Sequence, residues 1–224
     1  MSKILVIAAH PDDETIGCGG TIARHISQGD EVGIITLTNG VNARTGATKK
    51  DAENRKKAGE KAINLLGAEW IGKGDFYDNS MDENPLLEII KFIESYKDSY
   101  YPEIIYTHTP HDLNVDHRVT ASAVLTAFRP QPEESYQEIR LFEEPSSSDF
   151  TTDSLHGLFI PNLFIDITDF MTFKMEALKF YDTEIREYPH SRSYINIETV
   201  AKYRGASVGI PYAEAFQIVR SIQR

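Results

Sequence analysis

The chain of 224 residues contains one cysteine, Cys18. A lone thiol cannot close an internal disulfide, so the fold must rest on a packed core, and this usage fits a reducing cytoplasm. Long hydrophobic runs are also missing. The apolar stretch at 4–9 is cut off at once by His10, Pro11 and three acids, far short of the ~20 apolar residues that cross a bilayer. Neither a leader peptide nor a membrane span is expected there. Basic charge is scarce too: 23 Lys and Arg stand against 34 Asp and Glu, a formal net charge of −11. That deficit speaks against nucleic acid and against an anionic membrane surface as partners, since both are held by clustered cations. The expectation is an acidic cytoplasmic protein with no nucleic-acid partner and no membrane insertion, long enough for one domain with a sizeable core.

What is present is a rhythm. "KILVIAA" (3–9) reads as a strand buried on both faces, and Asp13 to Gln28 as a helix stopped by Gly29. "EVGIITLT" (31–38) is the second strand, followed by a polar loop at 39–50 and a helix at 51–67 closed by Gly67. A short strand is expected near Trp70, a helix opened by Asn84-Pro85, a strand at 103–109 and a helix at 114–128. Alternation of this kind implies an α/β, Rossmann-like three-layer fold: a mostly parallel sheet with helices on both faces. After "RPQPEE" (129–134) the rhythm breaks into strands at 135–144 and 162–167, a helix from about 169 to 186 and a shorter one ending near Gly205. A single domain over 1–224 is expected, with a candidate C-terminal subdomain from about 135.

In an open α/β sheet, ligands bind at the carboxyl ends of strands. His10 lies at such an end, and Pro11 biases it towards an extended conformation. Asp12, Asp13 and Glu14 then crowd the start of the helix, where the dipole favours anions. An acidic helix cap accounts for part of this pattern. A histidine beside three acids is better explained by a divalent cation. Gly17, Cys18, Gly19 and Gly20 would let the helix press on the sheet, Cys18 serving as a small packed residue. The run is no dinucleotide fingerprint, because Ile22 occupies the third glycine position.

"YTHTPHDLNVDHRVT" (106–120) leaves another strand on the same edge and carries His108, His111, Asp112, Asp116 and His117. One of its histidines, with His10 and one aspartate, would complete a tetrahedral zinc site with a fourth position left for water. Taken singly, His108 and His111 read as solvated loop residues.

The two motifs together, "AHPDDE" and "DLNVDHRV", resemble the LmbE-like (PIG-L) family of zinc-dependent N-acetylglucosaminyl de-N-acetylases. Supporting stretches are "TNG" (38–40), where the family usually has Thr-Asp-Gly, "LLG" (65–67), "FYDNSMD" (76–82) and "PHSRS" (189–193). The resemblance implies that His10, Asp13 and His117 hold Zn2+, that Asp12 is the general base, and that Arg55 and Asp78 hold hydroxyls of the sugar. Two positions depart from the family pattern. A histidine common three residues before the last ligand, held to assist the tetrahedral intermediate, is here Asn114, and an acid common three residues after the arginine is Ala58.

The implied reaction is hydrolysis of an acetamide on a small acetamido-sugar, with a homo-oligomer as a candidate assembly. Asn114 can offer one neutral amide hydrogen bond to the oxyanion, and His190 is a candidate replacement donor or else a surface-turn residue. Asp116 either orients a ring N–H of His117 or caps the helix. Two other readings compete: a metal-dependent hydrolase of another amide or ester, and a sugar-binding protein that has lost turnover. An intact Asp12 argues against the last, since a binder needs no base beside the metal.

Overall fold

The computed structural model describes residues 1–223. Its strands are β1 (Lys3–Ala8), β2 (Glu31–Thr36), β3 (Glu69–Lys73), β4 (Ile104–His108), β5 (Glu138–Phe142), β6 (Leu163–Asp166) and β7 (Ala213–Ser221). The helices are α1 (Asp13–Ser27), α2 (Lys49–Leu66), α3 (Leu86–Tyr100), α4 (Val115–Ala127), the single turn α5 (Asp153–His156), α6 (Met171–Leu178) and α7 (Tyr194–Ala206). All seven strands form one sheet in the order β3-β2-β1-β4-β5-β7-β6. The first five are parallel, and β7 and β6 close the edge antiparallel.

The continuous apolar run of β1 follows from its central place. Leu5 and Ile7 face one core with Ile89, Ile93 and Val124 of α3 and α4. Ile4 and Val6 face the other, with Ile22 of α1, Ala62 and Ile63 of α2, and Ala177 of α6. Helices thus cover both faces, as the sequence pattern implies, and each fully buried aliphatic side chain contributes roughly 1.5–3 kcal/mol. Strand order reverses between β1 and β4, so the connections after them diverge and leave a crevice at their carboxyl ends. His10 and the 108–117 segment leave the sheet at that crevice.

Three details differ from expectation. The helix expected over 169–186 is only α6, flanked by 3-10 turns at 168–170 and 179–181. The chain turns away where Glu184 is drawn into ion pairs with Arg44 and Arg55. β7, which joins β5 to β6, lies in a stretch for which the sequence reading offered no element. α3 starts one residue late, with Pro85 as its cap.

α1 docks on the sheet through its small residues. A Cβ on Gly17 would overlap the Phe142 ring, and one on Gly20 would lie 2.8 Å from Ile167. Cys18 between them is fully buried and leaves helical geometry (φ −146°, ψ 24°), kinking the helix. Gly17→Ala is expected to destabilise the protein by about 1–3 kcal/mol, the usual cost of overpacking. Urea unfolding checks this: the midpoint should fall at unchanged slope.

Candidate metal centre and active site

The crevice gathers charge that is almost wholly buried. Asp13 is the first residue of α1, and its Oδ2 accepts the backbone N–H of His10 at 2.8 Å. The same oxygen lies 3.1 Å from His10 Nδ1 and 3.5 Å from His117 Nε2. His10, Asp13 and His117 each bring a ligand atom within 4.8 Å of the others.

The far nitrogen of each imidazole is tied down. His10 Nε2 meets Asp116 Oδ2 at 2.9 Å and Asp78 Oδ1 at 3.4 Å. His117 Nδ1 meets Asp112 Oδ2 at 3.2 Å and Ser147 Oγ at 3.3 Å. Carboxylates in these places fix the ring tautomers and leave His10 Nδ1 and His117 Nε2 as the inward lone pairs. Asp116 is itself held, accepting the N–H of Asn79 at 2.6 Å and of Met81 at 3.0 Å.

These atoms suit a cation. His117 Nε2 is buried without a hydrogen-bond partner, a costly state for a polar atom unless something else takes its lone pair. Ligand atoms at about 2.0–2.1 Å from a tetrahedral zinc lie about 3.3–3.4 Å apart, and the Asp13 separations of 3.1 and 3.5 Å bracket that edge.

Asp12 sits beside this triad without joining it. Its backbone is strained, with φ at 135°, a conformation that side-chain-bearing residues hold only under constraint. The constraint is visible: its N–H donates to Glu14 Oε2 at 3.0 Å, and Glu14 is fixed by the hydroxyls of Thr15 and Tyr181. Asp12 Oδ1 lies 2.8 Å from Arg55 Nη2 yet makes no aligned hydrogen bond. Burial raises the Asp12 carboxyl above its ordinary range; Arg55 and Arg192 oppose that shift, and Asp13 adds to it.

The other residues singled out in the sequence fall as follows. Arg55 is buried between Asp12 and Glu184, its guanidinium committed to those acids. Asp78 faces His10 and accepts the N–H of Ala43 at 2.9 Å. Asn114 caps α4, its Oδ1 accepting the N–H of Asp116 at 2.8 Å. Asp116 orients His10 rather than its neighbour His117, because a residue one step earlier on a helix projects about 100° away. His190 is exposed; its Nδ1 accepts the N–H of Arg192 and its ring lies 6.5 Å from Phe150. Among the described residues no hydrogen bond joins the His190 side chain to His10, Asp12, Asp13 or His117. His108 corrects the solvated reading: it is fully buried, stacked 3.9 Å from His117, and accepts the N–H of Ala9 at 3.0 Å. Burial and the neighbouring His117 push its pKa down to about 4, so it is a neutral packing residue. His111 lies at the rim, its Nδ1 2.5 Å from the carbonyl of His156.

Sequence reasoning missed Glu144, Glu184 and, as a member of the cluster, Arg192. Glu144 is fully buried just beyond β5, and neither of its oxygens has a hydrogen-bond partner. A carboxylate at the end of a third parallel strand was a usable signal. Glu184 and Arg192 both come from the irregular C-terminal segment; Arg192 lies inside the "PHSRS" stretch, which was the usable signal, whereas Glu184 carried none.

Comparison with known proteins identifies the family. The family model described as PIG-L, GlcNAc-PI de-N-acetylase, matches residues 5–128, and the chain belongs to that family. It is a de-N-acetylase. The diacetylchitobiose deacetylase of Thermococcus kodakarensis is 26% identical, over 99% of this chain and 85% of its own. The 1D-myo-inositol 2-acetamido-2-deoxy-alpha-D-glucopyranoside deacetylase of Mycolicibacterium vanbaalenii is 24% identical, over 89% and 87%. The solved N,N'-diacetylchitobiose deacetylase of Pyrococcus horikoshii superposes with a TM-score of 0.78 at 24% identity, over 98% and 84% of the two chains. A 4-carboxy-2-hydroxymuconate hydratase from Pseudomonas putida superposes as well, with a TM-score of 0.79 at 21% identity, over 100% and 98%. The shared fold therefore does not fix the chemistry; the site does. Among the described residues no helix is long and apolar enough to cross a membrane.

Asp116→Asn keeps one acceptor oxygen for the two backbone N–H groups of Asn79 and Met81 and loses the charge facing His10. Metal affinity, read by competition with a coloured chelator, is expected to fall about 10–100-fold, as when the carboxylate behind a ligating histidine is removed.

Proposed function

We propose that the protein hydrolyses the acetamide of an N-acetylated amino sugar at a zinc centre held by His10, Asp13 and His117. The donor set supports zinc, since two imidazoles and one carboxylate with a fourth position free is a catalytic zinc pattern. The sugar class follows the names of the relatives, which act on diacetylchitobiose and on an acetamido-glucopyranoside of inositol.

The observation that carries the reading is Asp12. It adjoins a ligand in the chain, lies outside the triad, and keeps Oδ1 free of an aligned hydrogen bond. A zinc ion bound here supplies Lewis acidity, acidifying water and polarising the amide carbonyl. Asp12 takes a proton from the water whose oxygen attacks the carbonyl carbon, while the C=O electron pair moves onto oxygen. On collapse the C–N bond breaks, Asp12 returns the proton to the departing nitrogen, and acetic acid and a free amine are formed. The acid then loses its proton to the amine or to solvent, giving acetate. Arg55 holds Asp12 in place against its strained backbone and supplies the positive charge that a buried carboxylate requires. Asp78, 3.4 Å from His10 Nε2, is the carboxylate the family resemblance assigns to the sugar hydroxyls.

Acetate release from N-acetylglucosamine, diacetylchitobiose and inositol-linked N-acetylglucosamine tests the reading, with ester and unrelated amide substrates as competitors. Asp12→Asn should retain zinc and lose turnover by about a hundredfold or more. Asp13→Ala should lose zinc, as measured by metal analysis after dialysis. Equal metal loss in both variants would refute this division of labour.

A further inference from the structure

Asn114 leaves a gap. Its side-chain oxygen is spent on capping α4, and no ionisable group stands there to meet negative charge building on the carbonyl oxygen. A cation does stand against the general base. Arg192 Nη1 donates to Asp12 Oδ2 at 3.3 Å, its Nε donates to Ser146 Oγ at 3.1 Å, and its Nη2 lies 3.6 Å from Glu144 Oε1.

We infer that Arg192 is the oxyanion-stabilising residue of this enzyme, donating from its guanidinium to the acetamide oxygen as the tetrahedral intermediate forms. Three observations carry this beyond proximity. Of the five N–H donors of a guanidinium, only two are engaged in hydrogen bonds, and the contacts to the two acids are longer than the about 2.7–2.9 Å of a full charge-assisted bond. The fork is therefore under-used. Its side chain is 18% exposed, against 1% for Asp12 and 0% for Glu144, so the arginine is the member of the group that opens to solvent. The base must lie within about 3 Å of the proton it takes, which places a cation touching that base next to the reacting carbonyl.

The segment is also pre-set. Ser146 N donates to Ser191 Oγ at 3.0 Å, and Asn196 Nδ2 donates to the Ser191 carbonyl at 2.7 Å. Donors fixed before reaction stabilise developing charge without reorganisation. Glu144, with neither oxygen hydrogen-bonded and its nearer oxygen 3.6 Å from Nη2, does not hold the fork tightly.

The inference rests on the de-N-acetylase reading, and the test separates the two. Arg192→Gln should keep zinc and a cooperative melting transition, at a lower temperature because buried Asp12 loses an ion-pair partner, hold KM nearly constant and lose kcat by about a hundredfold or more. Arg192→Lys should show an intermediate loss, and it carries the test if the glutamine variant does not fold. An activity-independent readout is binding of a methylphosphonamidate analogue of N-acetylglucosamine, whose tetrahedral phosphorus carries the oxyanion's shape and charge. Its affinity should fall in parallel with kcat, while that of N-acetylglucosamine does not. Unchanged kcat, a rise in KM alone, or analogue binding as tight as in the wild type would overturn the role of Arg192 and leave the reaction standing. A wild-type protein that neither releases acetate nor binds the analogue would overturn both.

Discussion

One carboxylate oxygen organises the site. Asp13 Oδ2 accepts the N–H of His10 and lies within 3.5 Å of nitrogens from His10, His108 and His117. Those residues come from the loop after β1, the end of β4 and the start of α4. The oxygen thus joins the two strands that flank the reversal of strand order. Its position depends on how closely α1 approaches the sheet. Gly17 and Gly20 permit that approach, so the packing of a helix against Phe142 and Ile167 sets the placing of a metal ligand.

Around this oxygen the chain buries far more charge than a core ordinarily tolerates. An isolated buried carboxylate would cost several kcal/mol. Here Asp12, Glu184 and Glu144 are matched against Arg55 and Arg192, while Asp112 and Asp116 are matched against the two imidazoles. The compensation is incomplete at Glu144 and at His117 Nε2. Both shortfalls fall where a ligand has to arrive. A cation at the imidazole would resolve the one at His117; at the other, Arg192 keeps donors in reserve.

Much of this was legible in the sequence because it is local. "AHPDDE" puts the two proposed ligands and the proposed base within four residues, and the apolar run before it identifies a strand end. "DLNVDH" does the same on a later strand, and the helix between glycine-rich start and Gly29 follows from spacing alone. The histidine partners were harder to read. Assigning Asp116 to His117 relied on adjacency in the chain, whereas the fold gives Asp116 to His10 across the crevice and Asp112 to His117. His108 was misread for a related reason, since burial at the centre of a sheet depends on strand order and leaves no local mark. Glu184 and Arg192 were least legible, because an irregular segment supplies neither periodicity nor a cap to show where its side chains point.

The single departure at Asn114 connects these levels. An asparagine is among the best helix caps, contributing about 1 kcal/mol over residues that cannot accept from the first turn, and here it caps the helix that carries His117. That stabilises the orientation of a proposed ligand, from a position where the family resemblance implies a proton-bearing ring. The electrophile must then come from elsewhere. The matched family region ends at residue 128, and the cation nearest the base in the irregular tail, Arg192, lies well beyond it. An arginine cannot lend or take a proton near neutral pH, so it offers fixed charge alone. All proton movement then falls to Asp12, which is why its strained backbone and its paired arginine are held so firmly.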